Sequence, residues 1–168
     1  MDQPQSSAAK TIAKDGTRRL SINAAFLRDI KDDNRELKAL IDRIKPITEL
    51  PQVAANHWIE IRSLLADLRD QLALHFSLEE AFGYFEEAIE TAPQLSMTAV
   101  QLRGDHPRLF EEIRAIADKA QEIEADQIEK VTTFLSRLHR FQRSFETHEE
   151  AEIKLIVEAM DDDIGGGD

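Results

Sequence analysis

The chain of 168 residues is long enough for one domain with a sizeable core, and its 32% charged and 42% apolar residues suit helices that each bury one stripe. Its formal charge of −12, with no basic cluster, argues against a nucleic-acid partner and against an anionic membrane surface. The absence of cysteine removes disulfides, thiolate zinc sites, iron–sulfur clusters and cysteine nucleophiles, so any metal must be held by imidazole and carboxylate.

Residues 1–16 are polar, include Pro4 and Gly16, and are expected to form a flexible lead-in. With no apolar run at Met1–Ser7 and no stretch long enough to span a bilayer, a cytoplasmic location is expected. Residues 17–160 read as helical throughout, with breakers at Pro46–Pro51 and at Pro93, and a turn expected near residue 127. The acidic and glycine-rich residues 161–168 are expected to be a disordered tail. The fold class is therefore all-α, an antiparallel up-down-up-down four-helix bundle.

Four inward stripes can be written in chain order, each stepping by three or four residues. The first runs Leu20, Ala24, Leu27, Ile30, Asn34, Leu37, Ile41, Ile44. The second runs Trp58, Ile61, Leu65, Leu68, Leu72, His75, Glu79, Phe82. The third runs Leu102, His106, Leu109, Ile113, Ile116, Ala120, Ile123. The fourth runs Val131, Phe134, Leu138, Phe141, Phe145, His148, Glu152, Leu155, Ala159. Gly83 and the segment Gly104–Pro107 are the expected places for a bend, because Pro107 has no N–H to give to the preceding turn.

Each stripe is apolar except at one level, where Asn34, His75, Glu79, His106, His148 and Glu152 fall. Chain distances across the three connections allow all of them to lie in one layer. Burying such groups without partners costs several kcal/mol. One explanation is a hydrogen-bonded network that fixes register, as a single buried polar residue often does. The other is metal. His-x-x-x-Glu places a nitrogen and an oxygen on one helix face, and two such pairs with a third histidine make a site for one or two ions. Six polar groups at one level favour metal. His57 and His139 fall beside the stripes, as surface or boundary residues.

Other chemistries lack their residues. No Glu-x-x-His of the ferritin-like kind occurs, no His-Glu-x-x-His, no Gly-x-Ser-x-Gly and no phosphate-cradling glycine loop. Histidine phosphotransfer needs an exposed reactive histidine, whereas His75, His106 and His148 all fall on inward stripes. No acid–base pair or substrate pocket is legible, so turnover is not expected.

The motifs His75-Phe76-Ser77-Leu78-Glu79, Asp105-His106-Pro107 and His148-Glu149-Glu150-Ala151-Glu152 resemble, in order and spacing, the hemerythrin-like (HHE cation-binding) family over roughly residues 20–160. The resemblance implies a di-iron centre with His75 on one metal, His106 and His148 on the other, and Glu79 and Glu152 as bridges. It implies binding or sensing of oxygen, iron or nitric oxide through a small diatomic ligand or the metal itself; zinc and manganese suit the same donors. At Asp33-Asn34-Arg35-Glu36-Leu37 the family usually shows histidine where Asn34 stands. Asn34 is therefore expected to be a weak ligand or none, and the second ion to be absent or weakly held. A chain that keeps the bundle as a structural or interaction module, without a working di-iron centre, is the alternative.

Overall fold

The computed structural model describes residues 32–81 and 93–165, with side chains in the last helix described to Ala159. Its helices are α1 (32–47), α2 (Pro51–Asn56), α3 (Trp58–Ala81), α4 (Ser96–Glu122) and α5 (Ile128–Gly165), with a 3-10 turn at Pro93–Leu95 before α4. The long helices pack antiparallel as a bundle. Asp33 of α1 meets Gln71 and His75 of α3, while Arg43 meets Glu60. Likewise Trp58 reaches Ile123 at one end of the α3–α4 pair, and Glu79 reaches His106 at the other. Lys45 of α1 bonds Glu146 of α5, so α1 lies between α3 and α5.

The expected stripes of α3, α4 and α5 are buried at every described position, from Trp58 to Glu79, from Leu102 to Ile123 and from Val131 to Ala159. The described part of α1 differs at Asn34, and Ile41 is only partly buried. Asp33, Leu37 and Ile44 are buried, whereas Asn34 is exposed. Leu20, Ala24, Leu27, Ile30, Phe82, Gly83 and the lead-in lie outside the described residues.

The connection after α1 is more ordered than a Pro-bounded loop. Thr48 turns its hydroxyl back to the Ile44 carbonyl at 2.8 Å, and Pro51 opens α2 at the first helical position, where its missing N–H costs nothing. His57 breaks α2 from α3, yet its carbonyl already accepts the Ile61 N–H at 2.9 Å. Pro107 sits inside α4 without ending it. The α4–α5 turn falls at residues 123–127, close to its expected place, without glycine or proline. Its stop is supplied from α3: Trp58 Nε1 donates to Ile123 O at 2.8 Å, and Arg62 donates to Ala120 O at 2.9 Å and also to Ile123 O. Those carbonyls are the ones a helix C-terminus leaves without partners. Finally, α5 continues through Asp161 to Gly165, so the tail expected from residue 161 begins as helix. Propagating a helix by one residue adds a hydrogen bond at little cost, which carries it past Ala159, the last position of the expected stripe.

One large apolar cluster fills the end of the bundle near the α4–α5 turn, with Ile61, Leu65, Leu109, Ile113, Ile116 and Leu138 among its members. A smaller one, Ala99, Leu102 and Leu155, lies beyond His106 and His148. The polar layer separates them.

Candidate metal centre

The layer is built by helical periodicity. His75 and Glu79 stand one turn apart on α3, as His148 and Glu152 do on α5, and His106 enters from α4. His75, Glu79, His106, His148 and Glu152 are each at most 6% exposed. Two groups of ligand atoms result, each lying within 4.8 Å of one another: His106, His148 and Glu152; and His75, Glu79, Glu149 and Glu152. Glu152 belongs to both.

In the first group His106 Nε2 is 3.2 Å from Glu152 Oε1, and the two imidazoles meet edge to face with centroids 5.1 Å apart. His148 Nε2 lies 3.0 Å from the same oxygen but off the line of a hydrogen bond, and neither of its ring nitrogens has a hydrogen-bond partner. Phe76 stacks on His106 at 4.4 Å, fixing the ring plane. On the far side His106 Nδ1 is 3.3 Å from Glu80 Oε1.

In the second group His75 is held at both nitrogens. Nδ1 is 2.6 Å from Asp33 Oδ2, and Asp33 is itself fixed by Gln71 Nε2 at 2.7 Å. Nε2 faces Glu149 Oε1 at 3.1 Å and Glu79 Oε1 at 3.2 Å. The other oxygen of Glu79, Oε2, is 3.4 Å from His106 Nε2 and has no hydrogen-bond partner although its side chain is 7% exposed.

The charges are strongly coupled. Burial disfavours the charged form of His75, but the hydrogen bonds of Asp33 and Glu149 and the charge of Glu79 outweigh it and raise its pKa to about 11. Burial pushes the Glu79 carboxyl up; His75 opposes this, and the neighbouring Glu152 and Glu149 add to it. Burial also acts to raise Glu152, yet the hydrogen bond from His106 and the charge of the adjacent His148 imidazole bring it below the ordinary carboxylate range. Without metal the layer therefore keeps protons that a cation would displace.

Of the residues read from the sequence, the structure brings His75, Glu79, His106, His148 and Glu152 together. Asn34 is exposed, and Asp33 takes the inward place beside His75. Ile30 and Leu37 are seven residues apart, and a step of three then four fits the stripe as well as four then three. Hydrophobic spacing could not tell residue 33 from residue 34. Three further acidic side chains, Asp33, Glu80 and Glu149, touch the histidines without standing on an expected stripe. His57 is exposed and bonds Glu60, while His139 Nε2 bonds the Thr48 carbonyl at 2.9 Å, away from the layer.

An unpaired buried imidazole and an unpaired buried carboxylate oxygen, converging from different helices, suit a divalent ion of the iron, manganese or zinc kind. Among the described residues no helix is long and apolar enough to cross a membrane. Compared with protein-family models, curated proteins and solved structures, the chain matches none.

Proposed function

We propose that this chain is a non-haem iron-binding bundle of the hemerythrin-like kind, with one or two metals in the polar layer. The supporting observation is the convergence of His106, His148 and Glu152 with His148 left without a hydrogen-bond partner in a buried site. His106, His148 and Glu152 would hold the first ion, with Glu79 beside them; His75 and the two carboxylates would contribute to a second. Iron(II) so held would supply affinity for a small diatomic molecule such as oxygen or nitric oxide. The protein's own part is to hold the imidazoles in place through Phe76 and the outer carboxylates.

Iron per chain after anaerobic loading tests the reading. His148→Ala should lose tight binding, whereas His139→Ala should keep it. Equal loss in both variants, or wild-type protein that takes up no metal, would sink it.

A second reading has its own support. His75 is satisfied at both nitrogens by Asp33 and Glu149, as a purely structural ion-pair network would be. On that reading the bundle is a structural or interaction module, and metal-free and iron-treated protein would melt alike.

A further inference from the structure

The negative charge of the whole chain conceals a local exception on α5. Residues 130–145 contain Lys130, Arg137, Arg140 and Arg143 and no acidic side chain. Elsewhere cations are paired, as Arg35 is with Asp32, Lys38 with Asp42, Arg69 with Asp70 and Arg114 with Glu111. The side chains of Lys130, Arg137, Arg140 and Arg143 have no ion-pair or hydrogen-bond partner among the described residues. Glu146, one turn from Arg143, is instead bonded to Lys45.

An open groove of about 630 Å³ lies between the end of α4 and the first half of α5. Lys130, Arg137 and Arg140 line it from α5, and Lys119 joins them from α4. Lys119 is held by Glu122 at 2.6 Å, and Glu129 is the one carboxylate in the wall among the described residues. Glu129 stands in the first turn of α5, where the helix dipole favours an anion. The hydroxyls of Thr133 and Ser136 also face the groove, but each already donates to a carbonyl one turn back, of Glu129 at 3.0 Å and of Thr132 at 3.1 Å. The donors left for a ligand are therefore cationic. Arg137 is half-buried, and a guanidinium partly withdrawn from water without a partner gains most from an incoming anion.

The spacing of the cations selects the kind of anion. Lys130 and Arg140 lie about 15 Å apart along the helix axis, with Arg137 between them. One phosphate or carboxylate cannot reach all three, whereas a molecule with several anionic groups can. The guanidinium forks of Arg137 and Arg140 match phosphoryl oxygens two at a time. The volume is in the range of small-molecule sites. A long polyanion or an anionic membrane would also meet the −12 charge of the chain as a whole. A small ligand within about 8 Å of the cations is largely screened from it.

We propose that this groove binds a small soluble anion carrying two or more phosphate groups. Arg137 and Arg140 are its principal contacts, with Lys119 and Lys130 at the edges. The site lies by the α4–α5 turn, away from the polar layer, and does not depend on metal there.

Tripolyphosphate, titrated by calorimetry into the chelator-treated full chain at physiological ionic strength, is the direct test. Wild type should bind it at sub-millimolar concentration. Arg137→Gln and Arg140→Gln should each weaken binding at least about tenfold, the worth of one charge-assisted hydrogen bond. Arg140 is exposed, so its variant keeps the test decisive if the half-buried Arg137 cannot be replaced without unfolding. Arg108→Gln removes the same charge from α4 outside the groove, where Arg108 meets Asp105, and should leave binding unchanged. Citrate, which is multiply charged but has no phosphoryl group, should bind markedly more weakly. Absence of binding by wild type, equal weakening in all three variants, or citrate bound as tightly as tripolyphosphate would each overturn the site. Wild type that sediments with anionic phospholipid vesicles yet ignores tripolyphosphate would assign these cations to a membrane surface and overturn it as well.

Discussion

The two halves of the polar layer share Glu152 and are spanned by Glu79, yet they differ in kind. The half formed by His106 and His148 is rich in nitrogen, enclosed, and holds an imidazole without a hydrogen-bond partner. The half around His75 is rich in oxygen, has its carboxylates on an open groove between α1 and α5, and has its imidazole hydrogen-bonded at both nitrogens. A buried polar group can meet its needs within the protein or leave them for a ligand, and this layer does both within one helical turn. The unsatisfied half is the stronger indication of metal.

That contrast can be broken most severely at the residue both halves use. Glu152→Gln should bring iron per chain to background at both positions, measured by elemental analysis of loaded and desalted protein. Retention of one full equivalent would show that one half stands without Glu152.

Asp33→Asn should act on one half only. It removes the carboxylate that holds His75 Nδ1 and leaves His106 and His148 untouched, so iron in the His75 half should weaken on the order of tenfold while iron at His106 and His148 should not change. A loss of both would mean that the halves are not independent.

Protons should separate the halves more gently. The pKa of His75 in the folded chain is about 11 against an ordinary 6.5, so its stabilising contribution is fully present below pH 6.5 and is lost as pH rises toward about 11. Chelator-treated protein should therefore melt at progressively lower temperature across that window. Because cations compete with these same protons, the gain in melting temperature on adding metal should grow over the same range. A gain that shrinks as pH rises toward 9 would contradict the assignment of those protons to the site.

The smallest effect is expected at Asn34. Its side chain is exposed, so Asn34→His should leave metal stoichiometry and the melting temperature of loaded protein at wild-type values. A second tightly bound iron in that variant would place residue 34, rather than residue 33, against the layer.

The pattern of legible and illegible features has a physical cause. Apolar stripes at helical spacing marked the inward faces of α3, α4 and α5, and His75, His106, His148, Glu79 and Glu152 were conspicuous as polar interruptions of them. Asp33, Glu80 and Glu149 interrupt nothing. In a bundle each helix also faces its neighbours along flanks, and on α5 that flank carries His139, Glu146 and Glu149 toward α1 and the layer. A polar flank has no hydrophobic contrast, so its contacts emerge only from the packing. The short α2 is hidden for a similar reason. Pro51 marks a break after α1 as readily as it marks the first residue of another helix.

The division of the apolar core by the polar layer bears on how the molecule opens. The large cluster, closed by Trp58 and Arg62 on the end of α4, contains most of the buried apolar side chains among the described residues and does not include the layer. Among the described residues, Ala99, Leu102 and Leu155 form the small cluster beyond the layer, with Ala159 buried against Leu95. Regions with few buried contacts open locally at lower free energy than the whole. Amide hydrogens of residues 96–103 and 153–159 should therefore exchange with solvent earlier than those of 109–120 and 131–145. An ion held jointly by α4 and α5 adds a tie across the weaker end. Removing such an ion should accelerate exchange there while the far end keeps its protection.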